Sequence, residues 1–238
     1  MLLATLAHRA GRLAVAVHAA SPAVPAAATE RVRRTAMREG WPVAIVDAGE
    51  LADPQYAKNP ANRCYFCKSN LYARMRRATD AQLASGANLD DLGDIRPGLL
   101  AASERNVVHP FIEAGVGKAE IGSIAGELGL TDLVALPPQP CLSSRIETGL
   151  TVTAERLRFI EEAEERLAKL LPPSATLRCR ITAAGVAVEV APLPEGSALT
   201  RLASTAEALC AAHGRTLHTL RPYRRGSAFL WHTLTEAL

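Results

Sequence analysis

No stretch of this sequence approaches the ~18 uncharged apolar residues that a bilayer-crossing helix needs, so no contact with a membrane is expected. The opening MLLATLAHRAGRLAVAVHAASP has the apolar character of a signal peptide. His8, Arg9 and Arg12 interrupt it, however, and no basic region precedes it, which argues against that reading. Net charge is also scarce. A formal +3 over 238 residues gives no basic surface on which to expect nucleic acid. Paired cysteines are lacking as well: five, an odd number, lie scattered along the chain. That excludes a secreted disulfide scaffold and points to a reducing, cytoplasmic setting. What is there is an ordinary globular balance, 48% hydrophobic and 21% charged, long enough to bury a real core.

Patterning divides the chain in two. Leu2 to Arg9 reads as a short helix. LAVAVHA, Leu13 to Ala19, is a continuous apolar run too short for a helix and reads as a buried strand. Thr29 to Glu39 fits a helix capped by Thr29 and closed by Gly40, and Pro42 to Ala48 reads as a second buried strand. Strand, helix, strand is the grammar of a parallel α/β sheet. A polar loop leads to RCYFCK, and Ser69 to Thr79 looks helical. Gln82 to Ala87 and Val107 to Pro110 are short extended pieces, LDDLGDIRPG between them is an acidic loop, and Lys118 to Gly129 is a helix. LPPQP, Leu136 to Pro140, is a stiff linker with no helical option. Beyond Gly149 the pattern changes. A helix over Thr153–Leu170 precedes a hairpin of Thr176–Thr182 and Val186–Val190 turning at Ala184-Gly185. A helix over Ser197–His213 and a last strand over Thr216–Leu220 follow. The expected domains are therefore 1–149, a parallel-sheet α/β domain, and 150–238, a small α+β domain.

Two motifs carry chemistry. Two residues separate Cys64 and Cys67, a spacing that chelates one metal, ligates one iron–sulfur cluster, or cycles as a dithiol. Arg63 and Lys68 flank them, and a helix is expected to start just after; both features favour thiolate. Cys141 follows the proline-stiffened linker and precedes Ser143, Ser144 and Arg145, a run able to hold an anion beside a nucleophile. Taken together, Cys64, Cys67 and Cys141 offer three thiolates. Such a set leaves a four-iron cluster with one open iron, or a tetrahedral zinc with one open position. Asp90 and Asp91 lie in a carboxylate-rich turn that could hold a metal ion or a ribose, or could simply be solvated. Arg178 and Arg180 flank Cys179 on a strand and so share one face, suited to a phosphate or carboxylate or to water. Tyr223-Arg224-Arg225-Gly226-Ser227 is a second basic turn. Cys179 and Cys210 read as core filler.

Four blocks together, NPANRCYFCKSNL, GANLDDLGDIRPGL, PCLSSRIETGLTVTAERL and YRRGS, resemble the LarE family in register from about Leu2 to Ser227. These are ATP-dependent sacrificial sulfur transferases of the PP-loop, or adenine nucleotide alpha-hydrolase-like, superfamily. The resemblance implies a Rossmann-like α/β domain that binds ATP and Mg, followed by a small α+β domain. It implies adenylation of a carboxylate on a pyridinium mononucleotide, attack by cysteine sulfur, and a thiocarboxylate product used in nickel-pincer cofactor biosynthesis. By that likeness Cys141 matches the sacrificial cysteine, and Cys64, Cys67 and Cys141 would ligate a four-iron cluster. Ser144, Arg145, Arg178 and Arg180 would handle substrate or phosphate. Family members often assemble, so a homo-oligomer is expected.

The likeness fails on the nucleotide side. The family opens with a strand and a glycine-rich SGGxDS loop, whose amides cradle pyrophosphate. This sequence begins with MLLATLAHR, which resembles the helix after that loop. The expected TADSP is His18-Ala19-Ala20-Ser21-Pro22, with Ala20 in the aspartate's place. The expected WDKP is Val134-Ala135-Leu136-Pro137, with no lysine. An upstream start would supply the loop and the missing first strand. A diverged, non-adenylating paralogue, acting as an accessory protein that binds zinc or a cluster, would account for the lost aspartate and lysine. A third reading, another PP-loop chemistry such as tRNA thiolation, would want a basic surface, and the small charge argues against it.

Overall fold

The computed structural model describes residues 1–93, 97–134, 136 and 139–229. In chain order the elements are α1 (Leu2–Arg9), β1 (Ala16–Ala19), α2 (Ala26–Glu39), β2 (Val43–Val46), α3 (Pro54–Ala57) and α4 (Arg63–Ala78). Then come α5 (Pro97–Ser103), α6 (Pro110–Glu113), α7 (Lys118–Glu127), α8 (Thr131–Val134) and α9 (Ala154–Ala168). The series ends with β3 (Thr176–Thr182), β4 (Gly185–Ala191), α10 (Gly196–Ala212) and β5 (Leu217–Pro222). Short 3₁₀ turns cover Glu50–Ala52, Leu89–Gly93 and Leu142–Arg145. The architecture is mixed α/β, with a two-stranded parallel sheet and a three-stranded mixed sheet. Among the described residues no helix is long and apolar enough to cross a membrane.

Contacts gather the chain into two compact units. The first comprises Met1–Glu50 and Asn62–Gln139; the second comprises Leu51–Ala61 and Pro140–Leu238. The boundary expected near Gly149 falls inside the second unit, and a short earlier segment joins that unit too. Of the linker Leu136–Pro140, Pro137 and Pro138 lie outside the described residues, as do Ala135 and Asp94 to Arg96 of the acidic loop.

In the first unit β1 and β2 pair in parallel, Ala16 opposite Val43 and Ala19 opposite Val46, with α2 as the crossover. The expected strand–helix–strand order holds, but the strands are shorter than the apolar runs. Leu13 is fully exposed and Val15 largely so, because the strand begins only at Ala16. Helix α2 starts three residues before Thr29, with Pro25 ahead of it, since proline's fixed φ suits a helix entry. Thr29 therefore lies inside the helix, its hydroxyl 3.0 Å from His18 Nε2, and does not cap it. Gly40 closes the helix at φ 76°, as expected of a left-handed C-cap. One apolar cluster joins Leu2, Phe111, Ala125 and Leu130; a second joins Tyr72, Leu83, Ala102 and Val107. Trp41 is buried and donates its indole N–H to Thr5 Oγ1 at 3.1 Å, which satisfies a polar group that burial would otherwise penalise. The two expected extended pieces reduce to a single parallel bridge between Ala84 and Val108.

In the second unit Thr153 caps α9, its hydroxyl accepting from Arg156 N at 3.2 Å. Leu157, Ile160, Ala163 and Leu167 of α9 and Leu202, Ala206 and Leu209 of α10 are buried. Each large side chain among them contributes about 1.5–3 kcal/mol as an upper bound. Strands β3 and β4 are antiparallel, with Thr182 opposite Gly185 across the Ala183-Ala184 turn; β5 runs parallel to β4. Alternation turns Leu177, Cys179 and Ile181 one way and Arg178 and Arg180 the other.

Candidate functional site

RCYFCK is helical. Helix α4 starts at Arg63, with Asn62 as N-cap, so Cys64 and Cys67 occupy its first two turns. The expected start just after the motif is corrected by that turn. Three residues apart on a helix, the two thiols share a face. Cys64 is exposed and Cys67 partly so. The positive end of a helix dipole is where an anionic sulfur is held most favourably.

Cys141 lies in the second unit, at the head of the 3₁₀ turn Leu142–Arg145. Its carbonyl accepts three hydrogen bonds: from Ser144 N at 3.0 Å, Ser144 Oγ at 2.7 Å and Arg145 Nη1 at 3.1 Å. Ser143 is buried, its Oγ 2.6 Å from the Tyr56 hydroxyl. Leu142 is buried as well. The run after the cysteine thus anchors the backbone, and Cys141 itself is partly exposed. Tyr56 and Asn59 come from the short early segment. Asn59 adopts φ 56°, a left-handed conformation that Asn tolerates, and is fully buried. Its side-chain amide donates to Glu147 O at 2.8 Å and Ile146 O at 3.3 Å.

The arginines divide by environment. Arg145 is 4% exposed. It grips Glu164 through Nε and Nη2, both at 3.1 Å, and Glu164 also accepts from Cys179 N at 2.9 Å. Arg180, also 4% exposed, donates to Glu189 at 2.7 Å, to Ser144 O at 3.2 Å and to Arg224 O at 3.2 Å. Glu189 also accepts from Arg221 and Ser227, tying the YRRGS turn to the sheet. The charges of Arg145 and Arg180, expected to meet substrate, are met by Glu164 and Glu189 within the protein. Arg178 differs. It donates to its neighbour's carbonyl, Leu177 O, at 2.7 Å, lies 5.9 Å over the Tyr223 ring, and forms no ion pair among the described residues. Burial, and then the like charge of Arg145, pull its pKa below the ordinary guanidinium value. A further anion would relieve that crowding.

Asp90 Oδ2 accepts from Lys118 N at 2.7 Å, at the start of α7. Gly117, at the cap position, has no side chain to offer, so Asp90 supplies the cap from a distant loop. Asp91 Oδ2 accepts from Asn88 N at 3.1 Å and closes the turn. Burial pushes the Cys179 thiol well up and the Cys210 thiol up, fitting their expected place as core residues. Cys64 and Cys67 offer two sulfurs at a spacing that suits a metal or cluster, whereas Cys141 belongs to the other unit. Among the described residues no three His, Cys, Asp or Glu side chains are grouped as a metal site. Sequence reasoning misses Tyr56, Asn59, Glu164 and Glu189. An aromatic shortly before Asn-Pro is the one available signal.

No protein-family model matches the chain. It is similar to an uncharacterized Synechocystis protein, 39% identical over 164 residues, covering 67% of this chain and 61% of the relative. An uncharacterized Methanocaldococcus jannaschii protein is 36% identical over 115 residues, covering 46% of this chain and 44% of the relative. A pyridinium-3,5-bisthiocarboxylic acid mononucleotide synthase of Lactiplantibacillus plantarum is 30% identical over 132 residues, covering 54% of this chain and 48% of the relative. The chain thus spans about half the length of the curated relatives it matches, one of them a synthase of a sulfur-bearing mononucleotide.

Proposed function

We propose that this chain is a sulfur transferase related to the LarE family, with Cys141 as the sulfur-bearing residue and Cys64 and Cys67 serving the same reaction. The observation that carries the reading is the Cys141 turn. Three donors hold the carbonyl of a partly exposed cysteine, on a chain 30% identical over 132 residues to a pyridinium-3,5-bisthiocarboxylic acid mononucleotide synthase. In this reaction the Cys141 sulfur forms a bond to an activated carboxylate carbon and displaces the activating group. Breaking the Cβ–S bond with loss of the Cα proton then releases a thiocarboxylate and leaves dehydroalanine. Alternatively, a sulfide carried by a cluster on the three thiols is the atom transferred. Arg178, a guanidinium with no ion pair among the described residues, steers the acceptor's anionic group. Activation of the carboxylate in this reading uses ATP and Mg. The proposed fold is the adenine nucleotide alpha-hydrolase-like one, and the proposed assembly is a homo-oligomer.

A second reading is favoured by Ala20 at the end of β1, where the family carries an aspartate. In it the chain is a non-adenylating accessory protein that holds zinc or a cluster. Anaerobic purification followed by iron, sulfide and zinc analysis separates the readings. Iron with sulfide, or a Cys141 mass reduced by the loss of hydrogen sulfide after incubation with adenylated substrate, supports the transferase. Stoichiometric zinc with an unaltered Cys141 supports the accessory protein.

A further inference from the structure

The carboxyl end of β2 opens on a polar cavity of about 270 Å³ within the first unit, lined by Asp47, Gly49, Asn70, Arg74 and Arg77 among others. Its size lies just under the ~300–1,000 Å³ usual for drug-sized ligands, which selects a smaller molecule. Asn70, Arg74 and Arg77 stand at i, i+4 and i+7 of α4 and form one stripe facing the loop that leaves the strand. The mouth of a parallel strand pair is where ligands of open α/β sheets bind.

The two guanidiniums of this stripe have no carboxylate or carbonyl partner among the described residues. Partners exist for a cation on this helix. Arg76 donates to Ala81 O at 2.8 Å and Arg105 O at 3.2 Å. Two like charges one turn apart repel each other, and a doubly charged oxyanion between them removes that repulsion and accepts several charge-assisted hydrogen bonds. Asp47, also in the lining, accepts through Oδ1 from Gly49 N at 2.8 Å. That carboxylate disfavours a second anionic group and favours a hydroxyl on the body of the ligand.

We infer that this cavity is a binding site for the phosphate group of a small hydroxylated phosphate monoester, clamped by Arg74 and Arg77. The site lies within the first unit and its argument does not depend on the sulfur-transfer reading. Titration calorimetry of the full chain at fixed ionic strength tests it with inorganic phosphate, ribose 5-phosphate and acetate. Phosphate should bind, ribose 5-phosphate more tightly, and acetate at least tenfold more weakly. Phosphate and ribose 5-phosphate binding equal in strength would assign the site to the free ion, the same oxyanion chemistry from another source. Arg74→Ala/Arg77→Ala should lose at least tenfold in affinity for both phosphates, with an unchanged melting temperature without ligand. Arg166→Ala, at an exposed arginine outside the cavity, should keep that affinity. Absence of phosphate binding to the folded chain, or affinity unchanged in the double variant, would overturn the inference.

Discussion

Arg180 Nε donates to Glu189 Oε2 at 2.7 Å, and Glu189 has no exposed surface. Burial acts to raise the pKa of Glu189. The hydrogen bonds from Arg180 and Ser227, with the charge of Arg180, outweigh it and hold the carboxyl below its ordinary value. A group depressed in the folded state stabilises above its unfolded pKa, and that stability is lost as pH falls through the folded value. Glu189→Gln should therefore cost about 3 kcal/mol near neutrality, because it leaves the buried Arg180 guanidinium without its counter-charge. The gap in melting temperature between variant and parent should narrow as the solution is acidified. Parallel melting curves at every pH would remove Glu189 from this role.

Thiol reactivity should follow burial. Iodoacetamide should label Cys64 first, then Cys67 and Cys141, and reach Cys179 and Cys210 only after unfolding, since burial raises both of those thiols. Peptide mass mapping over a time course checks the order. Early labelling of Cys179 would contradict its packing.

Asp90→Ala should cost about 1 kcal/mol by uncapping α7, measured as a shift in the urea midpoint. Asp90→Asn should recover most of it, because the amide oxygen still accepts from Lys118 N. Added magnesium or calcium should leave the parent's midpoint where it was. A metal-dependent gain abolished by Asp90→Ala would instead make the turn a cation site.

Gly185→Ala should destabilise by more than about 1 kcal/mol. Gly185 sits at φ 125°, and a Cβ there would lie 2.9 Å from Thr216 O. Denaturant unfolding checks this, and a neutral result would mean that β5 shifts to make room.

Local order is legible in the sequence where period and punctuation agree. Thr153 as a cap, Gly40 as a C-cap and the hairpin around Gly185 can be read because each rests on neighbours in sequence. The start of α2 is misplaced by sequence reasoning because Thr29 is a good cap in isolation, whereas Pro25 enters a helix just as readily. The roles of Arg145 and Arg180 cannot be read. A guanidinium beside a cysteine looks the same whether it faces solvent or Glu164, and only the fold brings residues 145 and 164 together. Asp90 is ambiguous for the same reason, its partner lying at Lys118.

The segment that carries Tyr56 and Asn59 belongs with a part of the chain that begins some eighty residues later. The gene cannot therefore be cut once to give two self-sufficient pieces. A fragment opening at Pro140 would keep Ser143 and the carbonyls of Ile146 and Glu147 but forfeit the phenol and the amide that seat there. Its turn at Cys141 would lose the partners that Tyr56 and Asn59 supply. Any swap of this half between homologues must carry residues 51–61 along with it.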